Sequence, residues 1–454
     1  MIFINSRVMK KIYDIFLESR GVNTDSRTIV PEEIFWALRG ENFDGNQYAE
    51  NALAKGAIAA VVDADSETGK KALAAPDQYP TIIPVDDTLK ALQDMARYHR
   101  SRFRIPVLAL TGTNGKTTTK ELIRSVLAVK YNVLATQGNL NNHIGVPLTL
   151  LKIDNETEIA VIEMGASAPG EIAALVNIAL PDYGLITNVG KAHLLGFGSL
   201  SGVKKTKGEL YDYLQLKGDT AFYNIDNREL REMIGTRPDL KTIPYGFDYS
   251  GGSILRATVD NPCLRMELPD EKGEKLTIST EMVGSYNADN IMAALAIGRY
   301  FGVDFNGAVT AIENYTPENK RSQLKEGKNG NLLVIDTYNA NPVSMRLSLE
   351  NFDSIPFKNK VLILGDMREL GEDSLIEHIG ILRYVSTLLV ERIILVGTEF
   401  RTAVASLKES GEEIPAELFD NVDSLIKTLE GEPFKSKTIF LKGSNGIGLF
   451  RLDL

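Results

Sequence analysis

The stretch Ile105-Pro-Val-Leu-Ala-Leu-Thr-Gly-Thr-Asn-Gly-Lys-Thr-Thr118 decides the fold. Ile105 to Leu110 reads as a short apolar strand that runs straight into Gly112-Thr-Asn-Gly-Lys-Thr117. Leu122, Ile123, Val126 and Leu127 then recur at helical spacing. Strand, glycine-rich loop, lysine, hydroxyl and helix in that order make a phosphate loop. Gly112 and Gly115 let backbone N–H groups crowd round phosphate oxygens, and the helix N-terminus adds partial positive charge. Lys116 reaches the terminal phosphates, and Thr117 offers a hydroxyl for Mg²⁺. The loop is a shorter variant, because Leu110 stands where the general motif has its first glycine.

Outward from this loop the chain reads as α/β throughout. Before it, Ala57–Val62 looks like a buried strand and Leu89–Arg100 like a helix. That helix ends in the basic run Arg97, His99, Arg100, Arg102, Arg104, which reads as a solvated face, with contact to a phosphate ligand as the alternative. The N-terminal segment reads as an amphipathic helix, since Arg7, Lys10, Lys11, Asp14 and Glu18 interrupt any signal-peptide core. After the loop, Ile159–Ile162 and Gly184–Thr187 are strand candidates. Near 254–280, alternating Leu264, Met266, Leu268 and Leu276, Ile278 flank a turn, which predicts a β hairpin inserted at a sheet edge. From about residue 322, strands Leu332–Ile335, Val361–Leu364, Arg392–Val396 and Thr438–Leu441 alternate with helices, which implies a second parallel sheet. The expected division is a small α/β domain over 1–103, a central parallel-sheet phosphate-loop domain over 104–321 with the β insertion, and a Rossmann-like α/β domain over 322–454. Its apolar strands end in polar turns, as in Ile162→Glu-Met-Gly, Ile335→Asp-Thr-Tyr-Asn and Leu441→Lys-Gly-Ser-Asn. Open α/β sheets bind ligands just beyond the carboxyl ends of their strands, so a ligand held between two such rims is expected.

Composition narrows the class. The chain has 454 residues, too many for one core, and 50 Lys+Arg against 60 Asp+Glu give a net charge of −10. That balance disfavours a dedicated nucleic-acid or anionic-membrane binder. Cys263 is the single cysteine and there are four histidines, so a disulfide framework or a multi-Cys zinc site is excluded. No apolar run is long enough to span a bilayer. A cytoplasmic protein is expected.

Further motifs follow in order: Gly138-Asn-Leu-Asn-Asn-His-Ile-Gly-Val-Pro147, Glu163-Met-Gly, Ala192-His193, Lys207-Gly-Glu, Asn287-Ala-Asp-Asn290, Arg321, Asp336-Thr-Tyr-Asn-Ala-Asn-Pro342, and Gly365-Asp-Met-Arg-Glu-Leu-Gly371 with His378. With Asp25-Ser-Arg27 and Ala37-Leu-Arg-Gly-Glu-Asn-Phe-Asp-Gly45, this series resembles the Mur ligase family over nearly the whole chain. Within it, the similarity is to members that add D-alanyl-D-alanine to UDP-N-acetylmuramoyl-tripeptide. Siblings that add a single amino acid, and folylpolyglutamate synthases, share the phosphate loop but lack Asp-x-Tyr-Asn-Ala-Asn-Pro. A nucleotide-binding regulator without catalysis would tolerate loss of Lys116, Glu163 or Lys207, and all three are present.

The resemblance implies a monomeric three-domain ligase that consumes ATP through an acyl phosphate. It implies ATP binding by Gly112, Thr113, Asn114, Gly115, Lys116, Thr117, Thr118, Asn287, Asn290, Arg321 and Asp336. Lys116, His193 and Lys207 would be catalytic. Two Mg²⁺ ions would be served by Thr117, Glu163, His193 and a carbamylated Lys207. The UDP-substrate would meet Ser26, Arg27, Asn139 and Asn142, and the dipeptide side Tyr338, Asn339 and Asn341. Two departures stand out. Asn445 follows Lys442-Gly-Ser444 where the family usually has a basic residue, and Ala166-Ser-Ala-Pro169 replaces an Asn-His-containing version. Asn cannot supply the charge that clamps a carboxylate.

Overall fold

A computed structural model describes residues 7–190, 194–270, 272–318 and 320–454 of the chain. The chain divides into two compact units. One comprises residues 1–109, 132–165 and 171–183, the other 110–131, 166–170 and 184–454.

The first unit opens on helix Arg7–Glu18, whose buried face carries Ile12, Tyr13 and Phe16. A four-stranded sheet follows in the order Val22–Asn23, Ile34–Trp36, Ala59–Asp63, Ile82–Val85, parallel throughout. Ala59–Asp63 is buried along its whole length, as a central parallel strand covered on both faces must be. Helix Thr88–Ser101 is capped by the Asp87 carboxylate, which accepts from Lys90 N. Its basic end is only partly a solvated face: Arg102 and Arg104 are exposed, but His99 and Arg100 turn inward. His99 is buried, accepts from or donates to the Tyr13 hydroxyl at 3.0 Å, and bonds Ile153 O through Nε2 at 2.7 Å. Arg100 is 5% exposed and pairs with Asp182 at 2.9 Å. Both residues fasten the helix to the rest of this unit, because every third or fourth position of an amphipathic helix faces inward whatever its charge.

The central six-stranded sheet has the order Lys241–Tyr245, Thr220–Asn224, Tyr183–Ile186, Val107–Thr111, Ile159–Glu163, Val133–Ala135. The expected hairpin is present as Arg265–Pro269 against Lys275–Ser279, but not at an edge of that sheet: with Ser253–Leu255 it forms a separate three-stranded antiparallel sheet. In the second unit the phosphate-loop helix Lys116–Leu127 packs on helix Asn287–Tyr300. Gly298 permits this approach, since a Cβ there would meet Val126 Cγ1 at 2.4 Å.

The C-terminal sheet has the order Gln323–Glu326, Leu332–Asp336, Thr438–Lys442, Lys360–Gly365, Arg392–Val396, Glu417–Phe419. Five strands are parallel, the four expected ones and Glu417–Phe419, which was not expected; the first is an antiparallel edge strand. Strand alternation splits the core between the two faces. Leu362, Leu364 and Phe440 pack with Met345, Leu349 and Leu382 on one face. Val361, Ile363, Ile439 and Leu441 pack with Leu425 and Leu449 on the other. No described helix is long and apolar enough to cross a membrane.

Candidate active site

The phosphate loop is built as its sequence requires. Gly112 has φ 148° and Gly115 φ 78°, conformations that favour glycine. A Cβ on Gly112 would lie 2.0 Å from Thr187 Oγ1, and one on Gly115 would lie 2.7 Å from Asn290 Oδ1. Lys116 opens the helix and folds back over the loop, its Nζ donating to Gly112 O at 2.8 Å and Thr113 O at 3.2 Å. Thr117 and Thr118 are buried behind it in the first turn.

The strand end at Thr187–Gly190 holds this loop in shape. Thr113 N donates to Asn188 O at 3.0 Å. Asn114 N donates to Asn188 Oδ1 at 3.0 Å, and Asn114 O accepts from Thr187 Oγ1 at 2.6 Å and Asn188 Nδ2 at 3.1 Å. Gly190 exchanges hydrogen bonds with the Thr113 hydroxyl. Thr187 and Asn188 were not among the expected site residues; the polar turn after Ile186 was their only trace. His193, a few residues further on, lies outside the described residues.

Asn287 and Asn290 are buried at 1% and 7% exposure, and their amides are used inside the protein. Asn290 Oδ1 accepts from Thr119 Oγ1 at 2.9 Å, and Asn290 Nδ2 donates to Asn287 Oδ1 at 2.9 Å. Asn287 Nδ2 donates to Val283 O at 3.0 Å and to Ser322 Oγ at 3.4 Å. A hydrogen-bonded chain therefore runs from the phosphate-loop helix to Ser322. Lys320 and Ser322 both have positive φ, 61° and 48°, on either side of Arg321. Neither is glycine, so backbone strain is stored where the C-terminal sheet begins. The Arg321 guanidinium stacks on the Tyr338 ring at 3.7 Å.

Lys207 lies on helix Leu200–Lys217 and is 2% exposed. Its Nζ reaches Ala166 O at 3.4 Å and sits 5.5 Å from the centre of the Phe197 ring.

In the first unit, Glu163 ends its strand at 1% exposure. Its N donates to Thr136 Oγ1 at 2.9 Å, and Oε1 accepts from Asn141 Nδ2 at 2.8 Å. Asn141, which was not among the expected site residues, thus helps orient this carboxylate. Asn142 Oδ1 accepts from Ile144 N at 3.1 Å and Gly145 N at 2.9 Å, just before helix Gly145–Leu150, while Asn139 O accepts from Asn141 N. Arg27 forks onto Asp25 at 2.7 and 2.9 Å and holds that carboxyl down to about 2. Ser26 O accepts from Lys55 Nζ at 2.7 Å.

The C-terminal rim carries the remaining candidates. Asp336 accepts from the buried Lys442 ammonium and from Ser348 Oγ at 3.2 Å. Asn339 is exposed and its Oδ1 accepts from Ala340 N. Asn341 was expected on the dipeptide side. Its Oδ1 accepts from Ser344 N at 2.8 Å and caps helix Pro342–Ser354, and its Nδ2 donates to Asn114 Oδ1 at 2.7 Å. Its amide oxygen thus serves the helix and its amide nitrogen the phosphate loop. Beside Asn445 a basic group does arrive: a Cβ on Gly446 would meet Arg368 Nη1 at 2.4 Å, and Arg368 N donates to Ser444 Oγ at 2.9 Å.

Three family models match the chain: the Mur ligase family catalytic domain over residues 18–100, the Mur ligase middle domain over 110–298, and the Mur ligase glutamate ligase domain over 320–445. A UDP-N-acetylmuramoyl-tripeptide–D-alanyl-D-alanine ligase of Synechocystis sp. is 34% identical over 429 residues, covering 94% of this chain and 90% of that one. The chain belongs to the Mur ligase family. The like-named Escherichia coli ligase is 33% identical, covering 96% of this chain and 93% of that one. Among solved structures, MurF from Acinetobacter baumannii gives a TM-score of 0.80 at 28% identity, covering 95% and 92%. MurF ligase from Thermotoga maritima in complex with ADP gives 0.79 at 27%, covering 96% of each chain.

In this Mur ligase the Gly365–Gly371 loop is fixed by His378. His378 is fully buried; Nδ1 bonds Ser374 O at 2.7 Å, Nε2 accepts from Met367 N at 3.1 Å, and Phe400 packs edge-on at 4.7 Å. Asp366 accepts from Glu399 N and Phe400 N at the start of helix Thr398–Glu409. Burial pushes the His378 imidazole below its ordinary pKa, against the opposing pull of Asp366, Glu399 and Glu377; His99 is lowered by burial too. Above pH about 6.5 both histidines are neutral in the folded and unfolded chain alike. Below that, the unfolded chain takes up protons that the fold refuses, so stability falls with pH. The melting temperature should drop between pH 7.5 and 5.5, and His378→Asn should flatten that slope. An unchanged slope in the variant would contradict a buried neutral imidazole.

Proposed function

We propose that this Mur ligase attaches D-alanyl-D-alanine to UDP-N-acetylmuramoyl-tripeptide, converting ATP to ADP and phosphate, in peptidoglycan precursor synthesis in the cytoplasm. The supporting observation is the phosphate loop with Lys116 folded over its mouth, in a chain matched over nine-tenths of its length by ligases bearing that name. We place the domain boundaries at residues 103 and 321, with the UDP-sugar on the N-terminal domain, ATP on the central one and the dipeptide on the C-terminal one.

A carboxylate is a poor acyl donor. Its oxygen first attacks the γ-phosphorus, ADP leaves, and an acyl phosphate forms. The dipeptide amine then attacks the activated carbonyl, loses a proton, and phosphate departs as the amide bond closes. Phosphoryl transfer between two anions is governed by positioning and charge neutralisation. Lys116 meets that demand at the γ-phosphate.

The donors available for Mg²⁺ are hard oxygens, the Thr117 hydroxyl and the Glu163 carboxylate, which suit that ion. Among the described residues no three His, Cys, Asp or Glu side chains gather into a metal cluster. Mg²⁺ ordinarily keeps several waters and binds substrate phosphates beside one or two protein oxygens. We assign His193 and Lys207 to a second ion. A neutral amine adds to CO₂, forming an N–C bond and releasing one proton, and the product is an anionic carbamate that attracts the cation an ammonium would repel.

Incubation with ATP, the UDP-tripeptide and D-Ala-D-Ala should give a product heavier by one dipeptide less one water, read by mass spectrometry. A product carrying a single added amino acid, from a mixture offering both, would favour a sibling ligase instead.

A further inference from the structure

The Asn341–Asn114 hydrogen bond joins a residue of the C-terminal sheet's rim to the phosphate loop itself, at 2.7 Å. Asn341 is 7% exposed; its Oδ1 serves the helix cap and its Nδ2 the phosphate loop. Asn114 is held equally firmly. Its N–H and C=O are fixed by Asn188 and Thr187, so its side chain is the part left for Asn341 to hold. Val343, two residues on from Asn341, lies over Gly190, where a Cβ would come within 3.7 Å of Val343 Cγ2. Helix Pro342–Ser354 is thus seated by one polar and one apolar contact on the segment that shapes the nucleotide loop.

We propose that Asn341 is a positioning residue for the nucleotide rather than a contact for the dipeptide. It makes the conformation of the phosphate loop depend on the seating of the C-terminal domain. The coupling is reciprocal: nucleotide that orders the loop also favours the seated helix. The C-terminal rim, which receives the amino component, is then assembled in register with a loaded phosphate loop. The proposal rests on the ligase reading only for its dipeptide arm; its nucleotide arm can be read by binding alone.

Asn341→Ser separates the two duties. Serine keeps the helix cap but is too short to reach Asn114. The dissociation constant of a non-hydrolysable ATP analogue, measured by calorimetry on the full chain, should rise roughly three- to ten-fold, the range set by one lost hydrogen bond. In the ligation assay the KM for ATP should rise while that for D-Ala-D-Ala stays unchanged. Asn114→Ala, which leaves the cap untouched, should reproduce the nucleotide effect even where Asn341→Ser folds poorly. The double variant should be no weaker than the weaker single one, since both remove the same contact. A raised dipeptide KM with unaltered nucleotide binding would return Asn341 to the dipeptide side and overturn the proposal. Strictly additive losses, or no change in nucleotide binding in either single variant, would overturn it as well. Failure of ligation in the unsubstituted protein, with nucleotide binding and its variant effects intact, would count against the ligase reading alone.

Discussion

Lys116→Ala should lower the rate of phosphate release about a hundred- to a thousand-fold while leaving the fold intact. Lys116 Nζ lies against the carbonyls of Gly112 and Thr113, at the mouth of the loop. A substrate carboxylate attacking the γ-phosphate concentrates negative charge at that mouth in the transition state. Removing one preorganised cationic donor from such a position costs about 3–4 kcal/mol of barrier. The residue is only partly buried, so the cost to stability should stay near ~0.5 kcal/mol. Steady-state kinetics beside a thermal melt check both halves. A variant retaining more than a tenth of the rate would mean that Lys116 does not face the reacting phosphate.

Lys207→Ala should lose about 10- to 100-fold or more of activity, the range typical when a group that organises a metal is removed. Truncating this buried side chain leaves space that a small carboxylate can enter. Added acetate should therefore restore part of the rate, by replacing the carbamate's charge. Lys207→Arg is the control: it keeps a cation but cannot form a carbamate, and it should remain inactive. Full activity in Lys207→Ala, or activity in Lys207→Arg, would show that an anion at this position is not what the reaction needs.

The elements that decide the chemistry were legible because their signals are local. Strand, loop and helix around Gly112–Thr117 follow from apolar run, glycine and helical period between Ile105 and Leu127, and four of the five parallel strands of the C-terminal sheet are built on apolar runs. The antiparallel edge strand Gln323–Glu326 escaped notice because an edge strand is short, half-exposed and polar. The run ending helix Thr88–Ser101 was misread in part for a related reason. His99 and Arg100 carry the marks of a solvated face, yet Ile153 and Asp182, which satisfy them, lie more than fifty residues away. Asn341 shows the same limit at the site. Its motif marks it as important, but its partner Asn114 is more than two hundred residues earlier, and only the folded chain turns the amide toward the nucleotide. Net charge taught little about ligands: an acidic chain handles phosphates through local devices such as Lys116 and a helix N-terminus.

Substrate dependence of phosphate release is the most direct measurement. The purified protein, given ATP and Mg²⁺, should release phosphate only when UDP-N-acetylmuramoyl-tripeptide and D-alanyl-D-alanine are both present, with one phosphate per amide bond formed. Equal turnover with free D-alanine or glutamate in place of the dipeptide would contradict the proposed activity.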